Sequence, residues 1–197
     1  FGSVGKPLPG VKIEIDNSVQ GSKEEDGEIV AYGENIMLGY QNLPEKTNET
    51  ITSNGGLRTG DLGHMDSEGY LYITGRVKEQ YKLDIGEYVA PAPLEETLKL
   101  STYIDQVMLY GFNRPNNVAL IVAAMPAVEI YAKNNGISGS GGRLLTESSI
   151  RNLFREELSV YGKEFKSFEH PQNFALLEEE WSIENGLLTP TLKLKRE

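Results

Sequence analysis

The sequence has no cysteine and only two histidines, and these absences exclude several kinds of site. Without cysteine the chain forms no disulfide framework, no thiolate metal site and no thiol nucleophile. His64 and His170 lie far apart in the sequence, and neither has a partner at the spacing of metal ligands. A zinc site or a serine triad therefore has little support, and we expect no metal to be bound by these residues.

Long apolar runs and an excess of basic residues are also lacking. No segment approaches the roughly 18 to 20 apolar residues that cross a bilayer, and no basic region followed by an apolar core opens the chain. We therefore expect a soluble, cytoplasmic protein. The formal net charge is -10: residues 1–78 carry 7 basic and 12 acidic groups, and residues 79–197 carry 12 and 17. Because both parts are acidic, a nucleic-acid surface is not expected.

The length of the chain suits one large domain or two small ones. Its 197 residues are 39% hydrophobic, which is enough for a buried core. The sequence begins at Phe1 without an initiator methionine or a leader. We therefore expect that it is a piece of a longer protein and that any activity needs the missing part.

The first part of the chain has the pattern of a β structure. VKIEID at 11–16 alternates apolar and charged residues, and GEIVAYG at 27–33 and GYLYITG at 69–75 are short β-branched or aromatic runs bounded by glycine. Turns rich in glycine and asparagine separate these runs, and PEKTNETIT offers a turn or two of helix. The segment before residue 79 is therefore predicted to be mostly β.

The second part has a mixed pattern. YKLDIGEYVA predicts a small hairpin, and LEETLKLS predicts a helix behind Pro91 and Pro93, since a helix start tolerates proline. The turn RPNN separates the apolar strands QVMLYGF and NVALIVAAM. PAVEIYAKNNG predicts a helix that Asn135 and Gly136 end.

The last third of the chain is predicted to contain a flexible connector, a helix and a strand. ISGSGGR is the connector, because its glycines do not match GxGxxG. Thr146 is expected to cap a helix, and NFALLEE is the strand before the tail. Glu178, Glu179 and Glu180 are expected to form a solvated face. The apolar residues of the helix recur at three- and four-residue spacing: Ile150, Leu153, Phe154, Leu158 and Tyr161.

Charge and glycine concentrate between residues 55 and 88. In RTGD, Asp61 can be part of a purely structural turn. A carboxylate on such a turn can also hold vicinal hydroxyls, because it accepts two hydrogen bonds. In GRVKEQYK, Arg76 offers a planar fork of donors and Lys78 a mobile charge, or both are solvated at a strand end. Lys193, near the C-terminus, is by itself most simply a solvent-exposed lysine.

The order and spacing of these motifs resemble the C-terminal half of the adenylate-forming acyl-CoA synthetase superfamily, and within it the long-chain fatty acid CoA ligases. GSVGKPLPGVKIEI, GEIVAYGENIMLGYQNLPEKT and LRTGDLGHMDSEGYLYITGRVKEQYK resemble consecutive segments of that family, including its (R/K)TGD and GRxKxxxK motifs. ENGLLTPTLKLKR resembles the ending of the long-chain members. The resemblance covers nearly the whole chain.

The resemblance implies an α+β fold in two parts. Residues 1–77 would be the mostly-β end of the large AMP-binding domain, with a distorted, β-barrel-like form. Residues 78–197 would be the mobile C-terminal domain, with a short antiparallel sheet and flanking helices. The hinge between the two would lie near Lys78, whose backbone rotation swings the small domain between two poses.

The resemblance also implies roles for individual residues. Asp61 is similar to the aspartate that holds the ribose hydroxyls of the adenylate, and Arg76 to the arginine that contacts the nucleotide. Lys193 is similar to the catalytic lysine of adenylation, and Gly86 lies near the path of the pantetheine arm of CoA. The family ending PxTxxGK is altered here, because Leu192 precedes Lys193. Lys195 therefore remains the alternative to Lys193.

By this resemblance the parent protein is an ATP-dependent enzyme that joins a fatty acid to AMP and then transfers it to CoA. The sequence has no phosphate-binding loop rich in serine, threonine and glycine, so ATP, AMP, CoA and Mg²⁺ would be bound mainly with an upstream adenylation domain in cis. The fragment alone is expected to be inactive, and membrane contact would be peripheral and made by other parts of the parent. Two alternatives remain: a ligase for another carboxylic acid, and a non-catalytic interaction module derived from this fold.

Overall fold

The computed structural model describes residues 2–19 and 26–196. Phe1 lies outside this range. The chain divides into two compact units. The first comprises Phe1–Tyr81 with Tyr88–Ala90, and the second comprises Lys82–Glu87 with Pro91–Glu197. The domain boundary between residues 77 and 78 remains a prediction.

The first unit contains a four-stranded antiparallel sheet in sequence order. The strands are β1 (Lys12–Asp16), β2 (Gly27–Tyr32), β3 (Leu57–Met65) and β4 (Leu71–Arg76). A short helix, α1 (Pro44–Thr50), lies between β2 and β3 and begins at a proline, whose fixed φ suits the first turn. Ile29, Val30 and Leu62 are buried on this sheet. The prediction of a mostly-β first part is confirmed.

Two details of the first unit differ from the prediction. The sequence pattern found β1, β2 and β4 but not β3, because two glycines and two charged residues interrupt the alternation of LRTGDLGHM. The barrel-like form is also wrong for the described residues: β1 and β4 end the strand order, so the sheet is open.

A short hairpin follows β4. A 3-10 helix at Val77–Glu79 leads into β5 (Tyr81–Lys82), which pairs with β6 (Tyr88–Val89). In the connecting loop, the Leu83 N–H donates to the Glu87 carbonyl at 2.8 Å and the Gly86 N–H to the Leu83 carbonyl at 3.1 Å. The predicted hairpin is confirmed.

The second unit contains a three-stranded sheet and three α-helices. In chain order the elements are α2 (Pro91–Leu98), β7 (Ile104–Tyr110), β8 (Asn117–Ala123), α3 (Met125–Asn134), α4 (Ser148–Tyr161) and β9 (Pro171–Leu177). The strand order is β7-β8-β9, with β7 and β8 antiparallel and β8 and β9 parallel. The predicted antiparallel pairing is found for β7 and β8, but the sheet is mixed because β9 joins it in parallel. The chain returns to the sheet through α3 and α4, a crossover long enough to give a parallel pair.

The segment before α4 also differs from the prediction. Thr146 does not cap the helix, because α4 begins at Ser148 and Glu147 precedes it. Thr146 ends a 3-10 helix at Gly141–Thr146, where its hydroxyl donates to the Arg143 carbonyl at 2.8 Å. This 3-10 helix includes the last residues of the predicted flexible connector. Burial of Leu144 and Leu145 in the core anchors it.

The sheet of the second unit buries apolar side chains on both faces. Ala119, Ile121 and Ala123 of β8 belong to one core, together with Phe154 of α4. Val122 belongs to a second, smaller core with Trp181 and Leu188. Because side chains alternate along a strand, β8 supports both cores. The smaller core attaches the C-terminal tail to the sheet. No helix in the described part of the chain has the length and apolar character to cross a membrane.

Candidate functional site

Asp61 lies on a bulge of β3. Arg58 pairs with Val30 and Leu62 pairs with Glu28, so three residues of β3 stand opposite the single residue Ile29 of β2. Gly60, in the middle of the bulge, has φ 75°, a conformation that glycine adopts without steric cost. RTGD is therefore part of strand β3, where it forms a bulge, and not a turn between strands.

The buried carboxylate of Glu28 holds this bulge in place. One oxygen, Oε1, accepts the Gly60 N–H at 3.2 Å, and Oε2 accepts Nη1 of Arg58 at 2.5 Å. Glu28 is only 7% exposed, so these contacts satisfy a carboxylate that is shielded from water. Sequence analysis assigned no role to Glu28. A role for Glu28 could have been recognised from its position, because it is an acidic residue at the start of an otherwise apolar strand.

Further hydrogen bonds fix the residues on either side of Gly60. The Thr59 hydroxyl donates to the Ile29 carbonyl at 2.8 Å and accepts the Asp61 N–H at 3.1 Å. Nη2 of Arg58 lies 2.9 Å from Oδ2 of Asp16 on β1. The carboxylate of Glu28, followed by that of Asp16, raises the pKa of Arg58. The backbone at Asp61 is thus tied to both β1 and β2 through its neighbours.

Replacing Glu28 by glutamine should weaken this arrangement. The neutral amide cannot pair with the Arg58 guanidinium as a carboxylate does, so Glu28→Gln is expected to lower the free energy of unfolding by about 1.5 kcal/mol. Urea denaturation of the chain measures this loss. Glu14→Gln is the matched control, because Glu14 pairs with Lys12 at an exposed position of β1. Equal effects of the two substitutions would contradict the anchoring role of Glu28.

Asp61 and Arg76 are brought together across the sheet. They are register partners on β3 and β4, and Nε of Arg76 lies 3.0 Å from Oδ1 of Asp61. The side chains are 52% exposed for Arg76 and 25% for Asp61. An exposed pair of this kind contributes only about 0 to 1 kcal/mol. A ligand that offers hydroxyl donors to Asp61 can therefore displace Arg76 at small cost.

The turn between β3 and β4 supports this pairing. Oδ1 of Asp66 accepts the Tyr70 N–H at 2.9 Å and the Glu68 N–H at 3.0 Å, and Oδ2 accepts the Tyr72 hydroxyl at 3.3 Å. These hydrogen bonds, above all that from the Tyr70 N–H, lower the pKa of Asp66. The ionised carboxylate therefore stabilises the turn.

The lowered pKa predicts how stability depends on pH. The folded state binds the Asp66 proton more weakly than the unfolded state does. The ionised Asp66 carboxylate therefore stabilises the folded state above the unfolded pKa of about 4, and this stabilisation is lost as the pH falls below that value. Asp66→Asn is expected to remove this part of the acid dependence. Urea denaturation of both proteins between about pH 3 and pH 7 measures it. The same acid slope in the variant would show that Asp66 is not responsible.

Lys78 and Gly86 lie in short connecting segments. Lys78 is exposed in the 3-10 helix after β4, and the flanking residues Arg76 and Gln80 are extended. Gly86 is exposed in the loop between β5 and β6 with φ 95°, so any other residue would be strained there. Within the second unit this loop is fixed to the β7–β8 turn, because the Asp84 N–H donates to the Arg114 carbonyl at 3.1 Å.

Lys193 lies in a compact turn of the C-terminal tail. Its N–H donates to the Thr189 hydroxyl at 3.0 Å, and its carbonyl accepts the Thr189 N–H at 2.8 Å. Leu192 within the turn has φ 58°. Lys195 is held by its N–H, which donates to the Leu187 carbonyl at 3.0 Å. Both lysines are exposed, so the structure leaves both as candidates.

The remaining candidate residues have other partners. Nδ1 of His64 lies 2.7 Å from Oδ1 of Asp26, and the imidazole stacks on Tyr72 with ring centroids 5.2 Å apart. The ring of His170 lies against Phe165. Within residues 2–19 and 26–196, no three His, Asp or Glu side chains are grouped so that they could hold a metal ion.

Comparison with curated proteins finds long-chain-fatty-acid–CoA ligases among the relatives of this chain. The chain is 37% identical over 201 residues to long-chain-fatty-acid–CoA ligase 5 of Rattus norvegicus. It is 34% identical over 203 residues to long-chain-fatty-acid–CoA ligase 1 of Homo sapiens. Each match covers 99% of this chain and 29% of the relative, so the chain spans less than a third of these proteins. No family model matches the sequence.

Solved structures with a similar fold are parts of adenylate-forming enzymes. The adenylation domain of a carboxylate reductase from Mycobacterium chelonae has a TM-score of 0.75 at 25% identity, over 99% of this chain and 31% of that chain. O-succinylbenzoate coenzyme A synthetase from Bacillus subtilis, solved with AMP, has a TM-score of 0.66 at 24% identity, over 98% and 34%. The chain is therefore related to the long-chain-fatty-acid–CoA ligases and has the fold of the C-terminal region of adenylate-forming enzymes.

Proposed function

We propose that this chain is the C-terminal portion of an ATP-dependent long-chain fatty acid CoA ligase. The observation that carries the proposal is the similarity to curated ligases of that name over 99% of the chain. In the full-length parent, an N-terminal adenylation domain in cis would bind ATP and the fatty acid. The parent would act in the cytoplasm, with any membrane contact made by its other parts.

The proposed reaction has two steps. A carboxylate oxygen of the fatty acid attacks the α-phosphorus of ATP, and the bond to pyrophosphate breaks. The thiolate of CoA then attacks the acyl carbon, the bond from that carbon to the AMP oxygen breaks, and a thioester forms. The first step brings two anions together. A fixed positive charge at the reacting oxygens would therefore accelerate it.

Asp61 and Arg76 would bind the nucleotide through both steps. The Asp61 carboxylate can accept two hydrogen bonds from the ribose hydroxyls, and the Glu28-anchored bulge fixes its backbone. Arg76 carries five N–H donors, so it can leave Asp61 and contact the nucleotide. These roles are supported by the pairing of the two residues, which lie opposite each other where the β3–β4 ladder ends.

Lys193, or Lys195 as the alternative, would supply the positive charge of the first step. The second step needs room for CoA, so the lysine would then withdraw. We propose that rotation of the backbone at Lys78 moves residues 78–197 between the two steps in the full-length parent. The loop with Gly86 would then contact the pantetheine arm of CoA, where the absence of a side chain leaves space.

Mg²⁺ would neutralise phosphate charge when ATP is bound. We propose that the rest of the parent holds this ion, and that the chain alone is inactive because its sequence has no phosphate-binding loop rich in serine, threonine and glycine. Incubation of the chain with ATP, Mg²⁺ and palmitate should release no pyrophosphate. Release above the level of a heat-denatured sample would contradict this part of the proposal.

An assay of the full-length parent with ATP, Mg²⁺ and CoA tests the function itself. Formation of palmitoyl-CoA at a higher kcat/KM than octanoyl-CoA or benzoyl-CoA supports a long-chain ligase. Preference for octanoate or benzoate would instead support a ligase for another carboxylic acid. No acyl-CoA from any of the three acids, and no binding of AMP, would support a non-catalytic interaction module.

A further inference from the structure

The end of the C-terminal tail is attached to α2 by an ion pair that the sequence did not predict. Nη2 of Arg196 lies 2.5 Å from Oε2 of Glu95, and Nη1 lies 2.9 Å from Oε1. The Glu95 side chain is 9% exposed and that of Arg196 is 27% exposed. Two parallel contacts fix the relative orientation of both groups, which a single contact would not do.

The same pair also binds the backbone N–H and carbonyl of one residue of the sheet. Oε1 of Glu95 accepts the Leu109 N–H at 2.7 Å, and Nη1 of Arg196 donates to the Leu109 carbonyl at 3.3 Å. Leu109 belongs to β7, an outer strand of the three-stranded sheet, and its side chain is fully buried. The tail is therefore fixed to a rigid strand as well as to a helix.

Lys193 lies between this ion pair and a second attachment. On the N-terminal side, the Thr189 backbone and hydroxyl hold the Lys193 backbone. On the C-terminal side, Leu194 packs on the core formed by Val122, Trp181 and Leu188, and Arg196 follows. The Lys193 side chain remains exposed. The backbone is thus held on both sides while the ammonium group is accessible.

We propose that Glu95 and Arg196 are positioning residues that fix the backbone of the tail lysine for adenylation. This inference rests on the proposed function. A buried ion pair often adds little net stability compared with apolar residues of similar size. The role of this pair therefore lies in the geometry that it imposes on the tail. Lysine reaches its target through four flexible methylene groups. A displacement of its backbone by about 1 Å can cost about 10²-fold in rate.

The first test uses this chain and needs no activity. In Arg196→Met, hydrogen exchange at the Lys193 and Lys195 amides should accelerate at least about tenfold, while that at the Ile121 amide in the central strand is unchanged. Glu96→Gln is the matched control, because Glu96 is the next residue of α2 and forms an exposed pair with Lys99. Unchanged exchange at both lysines in Arg196→Met would overturn the proposal.

The second test uses the full-length parent and separates the two steps. Arg196→Met is expected to lower kcat of pyrophosphate release about 10²-fold, with KM for ATP and transfer from supplied acyl-adenylate to CoA unchanged. Arg196→Lys keeps the charge but loses the two-point geometry, so it should lie between Arg196→Met and the parent. Glu96→Gln should match the parent. Equal losses in both steps would show a merely structural role and overturn the proposal.

Lys193→Ala and Lys195→Ala in the same assays distinguish this inference from the proposed function. If one of them abolishes pyrophosphate release and Arg196→Met does not reduce it, the positioning role fails and the function stands. If neither reduces pyrophosphate release, the proposed role of the tail lysine fails first, and the positioning role fails with it.

Discussion

Lys193→Ala in the full-length parent lowers the rate of acyl-adenylate formation by about 10²- to 10³-fold, the loss typical of removing one preorganised electrostatic donor. We expect this loss because no other group of the tail replaces the charge of the Lys193 ammonium group at the reacting oxygens. Pyrophosphate release with saturating ATP and palmitate measures this step. Transfer from supplied acyl-adenylate to CoA should change less than about twofold, because the lysine acts only in the first step.

Two further lysine variants make this result specific. Lys195→Ala tests the alternative lysine, which is exposed and two residues away. Lys163→Ala is the matched control, since Lys163 is 75% exposed in the same unit and lies beyond the end of α4. If Lys195→Ala strongly lowers the rate of acyl-adenylate formation and Lys193→Ala does not, the catalytic lysine is Lys195. Wild-type adenylation in both tail variants would contradict a catalytic lysine in the tail.

Phe154→Ala lowers the free energy of unfolding of the second unit by about 3 to 5 kcal/mol. Phe154 is fully buried in the larger core, which also contains side chains of β7, β8 and α2. Removal of the ring leaves a cavity that the surrounding side chains fill only in part. Urea denaturation of the chain, followed by circular dichroism, measures the loss.

Val160→Ala is the control for this substitution. Val160 lies on the same helix but is 60% exposed, so its truncation should change the free energy of unfolding by less than about 0.5 kcal/mol. A loss of similar size in both variants would contradict the assignment of the effect to the buried ring, because alanine has the highest helix propensity and does not weaken the helix by itself. A negligible effect of Phe154→Ala would contradict the placement of α4 over the sheet.

Local patterns predicted most of the elements of the fold. β1 alternates apolar and charged residues, and α3 is followed directly by Asn135 and Gly136, so both could be recognised from neighbouring residues alone. β3 could not, because its bulge around Gly60 depends on which residues of β2 it meets. The parallel pairing of β9 could likewise not be predicted from neighbouring residues, since strand direction in a sheet depends on the path of the whole chain.

The candidate site likewise contains some residues that the sequence predicted and others that it did not. The residues Asp61 and Arg76 were selected from motifs, and the structure places them opposite each other on neighbouring strands. The residues that hold the site were missed. Glu28 contacts Gly60 from a distant part of the sequence, and Glu95 contacts Arg196 from another. Such contacts leave no local pattern, because each partner alone is an ordinary charged residue.

The central claim is that Asp61 and a lysine of the tail act on one adenylate. A crystal structure of the full-length parent with a non-hydrolysable acyl-adenylate analogue tests it most directly. The account predicts an Asp61 oxygen within about 3 Å of the ribose hydroxyls, and Nζ of Lys193 or Lys195 within about 3 Å of the α-phosphate or the acyl oxygen. An ordered analogue that neither Asp61 nor a tail lysine contacts would contradict it.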